Sequence, residues 1–226
     1  SILDIGGQST RPKSRPISAD EELERVMPAL EAVCKEFPEQ IISTDTFYAK
    51  VARAAIEVGA SIVNDVSAGH LDEKLILTVA ELKVPYVLMH MPGSPQTMQN
   101  HSNYKNVTLE VFDFLNFKIS DLINSGINDV IIDPGFGFGK TATNNFQLLK
   151  NLSYFNQLNK PLMVGLSRKS TVYKTLGITP EEALNGTTVM HTMALLNGAT
   201  ILRVHDVKEA MQAVKLFKEY KKEEQL

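Results

Sequence analysis

The 226-residue chain has no tryptophan and a single cysteine, and none of its apolar runs approaches the ~20 residues that a membrane helix needs. A lone Cys34 excludes an internal disulfide and fits a reducing compartment. No His or Cys spacing resembles a zinc site. Charge of one sign is scarce too: 23 Lys and Arg stand against 26 Asp and Glu, a net −3. That balance offers neither nucleic acid nor an anionic membrane surface a partner. No secretory leader is expected, and a cytoplasmic setting is the corresponding expectation.

What is present is a 43% hydrophobic, 22% charged composition, enough to bury a full core in one domain spanning 1–226. Short apolar runs recur along it: 2–5, 40–44, 61–63, 85–89, 130–132, 161–165 and 200–202. Between them lie stretches of helical period, several opened by capping residues. Ser18 to Glu21 and Thr179 to Glu182 both read as capping boxes. Gly59 and Gly126 read as C-terminal stops, and Pro28 as a kink. The long polar segment from Met91 to Asn106 reads as a mobile lid.

Alternating strands and crossover helices mean a parallel sheet covered by helices. No early glycine fingerprint marks an open dinucleotide-binding sheet. Polar residues instead tip every strand from first to last, which suits a barrel that gathers all its strand ends at one mouth. The expected fold is α/β, a (β/α)8 TIM barrel with seven βα units. Because the chain opens inside an apolar run, its first strand is expected upstream of Ser1.

Asp133-Pro134-Gly135-Phe136-Gly137-Phe138-Gly139-Lys140 shows the pattern most fully: a buried run ends in a carboxylate and breaks into glycines that admit a ligand. Phe136 and Phe138 offer flat faces to a planar ring. A P-loop reading fails on spacing, since Pro134 stands where a phosphate-binding glycine would be. Asp45, Asn64 and Asp133 tip three strands. Singly each could be a helix cap; together in a barrel they match the edge of an amino-pyrimidine heterocycle, with Lys169 as donor to a ring carbonyl. Ser167-Arg168-Lys169-Ser170 reads either as a solvated turn or as an anion site at a helix start. Arg203 and His205, two apart, are expected to share one face of the last strand, with Ser9, Thr10 and Arg11 closing on the anion opposite. His191 reads as core, His70 and His101 as exposed, and His90 stays open. Ser9 has no base near it in sequence, so a Ser–His–Asp hydrolase finds no support.

Asp4 to Pro12 resembles a signature of the dihydropteroate synthase family, pterin-binding barrels. The likeness runs on through Ser43–Thr46, Ile62–Asp65, Leu88–Met91, Asp133–Lys140, Gly165–Ser170 and Arg203–Val207, in order along the whole chain. It implies a transferase of folate biosynthesis that joins 6-hydroxymethyl-7,8-dihydropterin pyrophosphate to p-aminobenzoate. On this resemblance Asp45, Asn64, Asp133, Phe138, Lys169 and Arg203 hold the pterin, with Asp45 and Lys169 catalytic. Ser9, Thr10, Arg11, Pro12, Ser170, Arg203 and His205 serve pyrophosphate and p-aminobenzoate. Mg²⁺ is the implied cofactor, its expected Asn ligand upstream of Ser1, so that these residues alone should be inactive. The resemblance further implies sulfonamide inhibition and a homodimer. Gln8 departs from the family pattern, where Glu is common. The rival readings are a methyltransferase of the same pterin-barrel group, a catalytically silent pterin-binding homologue, and a generic phosphate-binding barrel such as an aldolase, which would need a Schiff-base lysine that no strand here carries.

Overall fold

The computed structural model describes residues 1–10 and 14–222. Seven strands alternate with helices: β1 (Ile2–Ile5), α1 (Ala19–Glu36), β2 (Ile41–Asp45), α2 (Ala49–Glu57), β3 (Ile62–Asp65), α3 (Leu75–Leu82), β4 (Tyr86–Met89) and α4 (Val107–Asn124). The second half comprises β5 (Val130–Asp133), α5 (Ala142–Lys150), β6 (Met163–Val164), α6 (Ser170–Leu176), α7 (Leu184–Leu196), β7 (Ile201–Leu202) and α8 (Val207–Lys222).

All paired strands are parallel, and neighbours in space are neighbours in sequence: β1 through β5 form one ladder, β6 and β7 another. A bridge from Ile132 to Leu162 joins the two. An open doubly wound sheet would reverse its strand order midway; this one does not. The sheet is also unclosed, because no ladder among the described residues links β7 to β1, and Ile2 and Leu3 remain 42% exposed on the free edge. A (β/α)8 barrel places its remaining strand at such a seam.

The main apolar cluster lies between sheet and helices, around Val63, Tyr86, Leu88, Val111, Leu115, Ile132 and Phe155. A smaller one fills the barrel: Ile62, Val87 and Met163, with Ile131 and Ile201 packed on it, one residue from each of five strands. Strand side chains repeat every two residues. The next inward position along these strands therefore carries Asn64, Met89, Asp133, Gly165 and Arg203. The register sets Asp45 beside Asn64 and Asp4 beside Ser43. Hydrophobic patterning thus builds a floor and delivers the polar strand ends in one layer above it.

Several local expectations shift. Ser18 Oγ accepts the Glu21 N–H at 3.2 Å, but the Glu21 carboxylate turns to Arg25, so only half the capping box forms. Helix α1 runs on through Pro28. The Asp72 carboxylate ties two helices, accepting the N–H of Ala49 in α2 at 2.8 Å and that of Lys74, just before α3, at 3.0 Å. The box at Thr179 opens no helix, and α7 starts at Leu184 after a turn. The 91–106 segment is no bare polar lid: it holds a 3-10 turn, Met98–His101, and buries Met98 among Phe47, Val66, Met89 and Met91. No helix among the described residues is long and apolar enough to cross a membrane.

Candidate active site

At the β1, β2, β3 and β7 ends four side chains form one hydrogen-bonded group. Arg203 Nε donates to Asp4 Oδ2 at 2.6 Å, and Arg203 Nη2 to Asp45 Oδ2 at 2.7 Å. Asn64 Nδ2 donates to the same Asp4 Oδ2 at 3.0 Å. Burial, and then the neighbouring Asp4 carboxylate, push Asp45 up to about 7 despite the guanidinium beside it.

Across the mouth, Asp133 is buried and its Oδ1 accepts the N–H of Gly135 at 2.7 Å. Burial raises its carboxyl, opposed first by the Lys169 charge. Lys169 Nζ donates to the Phe136 carbonyl and stands 4.8 Å from the centre of the Phe138 ring. Burial lowers this ammonium to about 8. The two groups meet over Gly165: a Cβ there would lie 3.6 Å from Lys169 Nζ and 3.9 Å from Arg203 Cβ. A glycine at the end of β6 keeps that floor low enough for a ligand.

The loop after β5 is shaped from within by Lys140. Its buried ammonium donates to the carbonyls of Gly135 and Phe138, each at 2.9 Å, and of His90 at 3.3 Å, and also meets His90 Nδ1 at 2.9 Å. Burial, and then this neighbouring cation, hold the His90 imidazole down at about 2, so it is neutral. Gly135 is irreplaceable in this packing, with φ +72° and a Cβ position only 2.0 Å from the His90 oxygen. Asn145, also buried, fixes the other flank by accepting the Gly137 N–H at 2.9 Å and donating to Thr171 Oγ1 at 2.9 Å.

The expected anion residues divide. His205 lies past the end of β7, so it does not share a strand face with Arg203; its Nδ1 meets Ser167 Oγ at 2.9 Å. Ser170 is exposed in the first turn of α6. Arg168 is no anion ligand. Its guanidinium forks onto Asp206 with two 2.9 Å bonds and donates to the carbonyls of Pro180 and Glu181. Ser9 and Thr10 lie on the β1–α1 loop; Ser9 lines a small cavity of about 190 Å³ with Phe47, Tyr48, Pro95 and Gln96. Arg11 and Pro12 lie outside the described residues. His191 is buried, as its helical neighbours imply, and His101 is exposed.

Four residues with a part in this arrangement escape sequence reasoning. Asp4 sits inside a strand rather than at its tip, and Lys140 and Asn145 look like ordinary surface residues of a loop and a helix. Glu22, fully buried beneath the β1–α1 loop, accepts the Gln8 amide at 2.8 Å. Only Asp4 had a usable signal, the strand period that places it level with Ser43.

Residues 1–205 match the family described as pterin binding enzyme. Over 218 residues the chain is 42% identical to the dihydropteroate synthase of Escherichia coli K12, covering 95% of this chain and 76% of that protein. It is also 42% identical over 224 residues to the folic acid synthesis protein fol1 of Schizosaccharomyces pombe, covering 95% of this chain and 30% of that longer polypeptide. The fold superposes on the Xanthomonas albilineans dihydropteroate synthase with 4-aminobenzoic acid at a TM-score of 0.91 and 39% identity, covering 97% of this chain and 79% of that one. With the Yersinia pestis dihydropteroate synthase in a sulfonamide drug complex the TM-score is 0.94 at 36% identity, with 98% and 80% covered. The chain belongs to the dihydropteroate synthase family of pterin-binding enzymes.

Proposed function

We infer that this protein condenses 6-hydroxymethyl-7,8-dihydropterin pyrophosphate with p-aminobenzoate, giving 7,8-dihydropteroate and pyrophosphate. The observation that carries this reading is the convergence of Asp45, Asn64 and Asp133 with Lys169 and Arg203 over the Gly165 floor. A relative from Xanthomonas albilineans is known in complex with 7,8-dihydropteroate, at a TM-score of 0.87 and 36% identity, with 97% of this chain and 79% of that one covered.

In this proposal Asp133 accepts adjacent N–H groups of the pterin, Asn64 reads a mixed edge, and Lys169 donates to the ring. Phe138 stacks near it. As the bond from the pterin methylene to pyrophosphate breaks, positive charge spreads over the electron-rich bicycle. Asp45 stabilises that charge, and Arg203 and His205 meet the departing diphosphate. The arylamine of p-aminobenzoate, its carboxylate directed to Ser170, then attacks the methylene and releases a proton to solvent. Ser9 and Thr10, on the β1–α1 loop, cover the site. No covalent enzyme intermediate is required.

Mg²⁺ belongs to the expectation rather than to these steps. Among the described residues no group of three or more His, Cys, Asp and Glu could hold a metal ion; an ion held by one or two protein groups and the substrate's phosphates needs no such group, and no step here runs through it. We also place a cytoplasmic location, sulfonamide inhibition and a homodimer in the proposal. Support for the dimer is an exposed apolar row of Val189, Met193 and Leu196 on α7, with Met211 and Tyr220 exposed on α8.

The test is turnover by the full-length protein with both substrates and Mg²⁺. Pyrophosphate and dihydropteroate should appear together, and Lys169→Ala should abolish both while leaving the fold intact. A full-length protein that releases no pyrophosphate overturns the reading.

A further inference from the structure

Asp4 is the one acid in the site layer to which neither the sequence pattern nor the reaction chemistry gives a task. It sits within β1, opposite Ser43, on the seam where the sheet is open. One oxygen, Oδ2, accepts from both Asn64 Nδ2 and Arg203 Nε, while Oδ1 is buried with no partner among the described residues.

Two physical consequences follow. An ionised carboxylate can only accept hydrogen bonds. An Asn amide facing it must therefore present its nitrogen, which leaves the carbonyl and one N–H of Asn64 for a ligand, in a fixed order. The second consequence concerns charge. Arg203 is divided between two acids, so Asp4 and Asp45 together exceed it by one negative charge. Were Asp4 neutral, the guanidinium would cancel Asp45 alone. Asp45 is faced by Asp4 from β1, Arg203 from beyond β7, Glu22 from α1 and Asp65 from β3, three acids and one cation.

We propose that Asp4 is a positioning residue for pterin recognition and bond cleavage: it orients the Asn64 amide and keeps Arg203 from neutralising Asp45. This rests on the dihydropterin reading of the site. It assigns Asp4 no direct contact with substrate.

The experiment compares wild type with Asp4→Asn and the smaller Asp4→Ser in the full-length protein, by steady-state kinetics and calorimetric binding of the dihydropterin pyrophosphate. An Asn at position 4 can donate as well as accept, so it frees Asn64 to turn round. Loss of a charge-assisted bond of this kind weakens pterin binding roughly tenfold. KM for the pterin substrate should rise by about that factor, kcat should fall, and KM for p-aminobenzoate should stay within about twofold of wild type. With one negative neighbour removed, Asp45 ionises more readily, and the acid limb of the kcat/KM profile moves to lower pH. A structural role alone would lower thermal stability without moving that limb. Asp4 loses its assignment if either folded variant keeps wild-type kinetics, or if both KM values rise together with an unmoved acid limb. A wild-type protein that neither turns over nor binds the dihydropterin disposes of the functional reading instead.

Discussion

Lys140→Met is the most informative single change, because it removes a charge from the interior while preserving the length and apolar stem of the side chain. The buried ammonium is the shared donor for two segments, the end of β4 at His90 and the loop after β5. Without it the His90 and Phe138 carbonyls lose that donor; Gly135 keeps the Phe138 N–H at 3.1 Å. Each buried acceptor left unpaired costs about 1–3 kcal/mol, and removal of a buried cation offsets part of that. Burial lowers the Lys140 ammonium well below its ordinary value, which reflects the desolvation cost that its removal recovers. A net loss of about 2–4 kcal/mol is expected, or a melting temperature lower by roughly 5–15 °C for a chain of this size. Urea unfolding followed by circular dichroism measures it. Activity should fall as well, because the same loop sets the Phe136 carbonyl and the Phe138 ring against Lys169. A Lys140→Met protein as stable and as active as wild type would refute the claim that this ammonium shapes the loop.

Gly135→Ala should be harsher than any ordinary loop substitution. The new methyl would lie 2.0 Å from the His90 oxygen on a backbone with φ +72°, so soluble expression and pterin binding should both be lost, whereas Gly177→Ala, with nothing within 4 Å, should cost only its φ strain of about 1 kcal/mol. His191 supplies a pH prediction. Burial depresses it from 6.5 to about 4, so the unfolded chain binds the extra proton between those values, and stability falls as pH drops from about 6.5 to about 4. At about 1.4 kcal/mol per pH unit its share is about 3 kcal/mol. Asp45, raised to about 7, contributes with the opposite sign, stabilising as pH falls through that value. The difference between wild type and His191→Gln in urea titrations at pH 7 and pH 4.5 isolates the histidine; an identical pH slope in both would sink this assignment.

Strand periodicity made most of the frame legible. Apolar runs of three to five residues, each followed by a polar tip, locate β2, β3 and β5 together with Asp45, Asn64 and Asp133. Local chemistry misled wherever a side chain served a distant partner. Thr179-Pro180-Glu181-Glu182 has the residues of a helix start, but the Pro180 and Glu181 carbonyls accept the Arg168 guanidinium at 2.8 and 2.6 Å, and the turn is held open for it. Arg168 lies in a stretch that reads as a solvated turn or an anion site, and only the fold shows its fork onto Asp206. Arg203 and His205 look like alternate residues of one strand, yet β7 ends at Leu202 and each finds its own partner.

Three of the four residues that sequence reasoning missed have a partner far along the chain. Asp4 meets Arg203 across 199 positions, Lys140 meets His90 across 50, and Asn145 meets Thr171 across 26. Sequence periodicity fixes which face a side chain takes, but a parallel sheet that follows chain order brings its first and last strands together only by curling. The contact from β1 to Arg203 therefore exists only in the curled sheet. In an open sheet with these seven strands, Asp4 would lie on a far edge, Arg203 would have no pair of acids to divide its charge, and Asp45 would face solvent without them. The electrostatics of the site and the curvature of the sheet are one fact, and a change that flattens the β7–β1 seam should be felt first as an altered titration of Asp45.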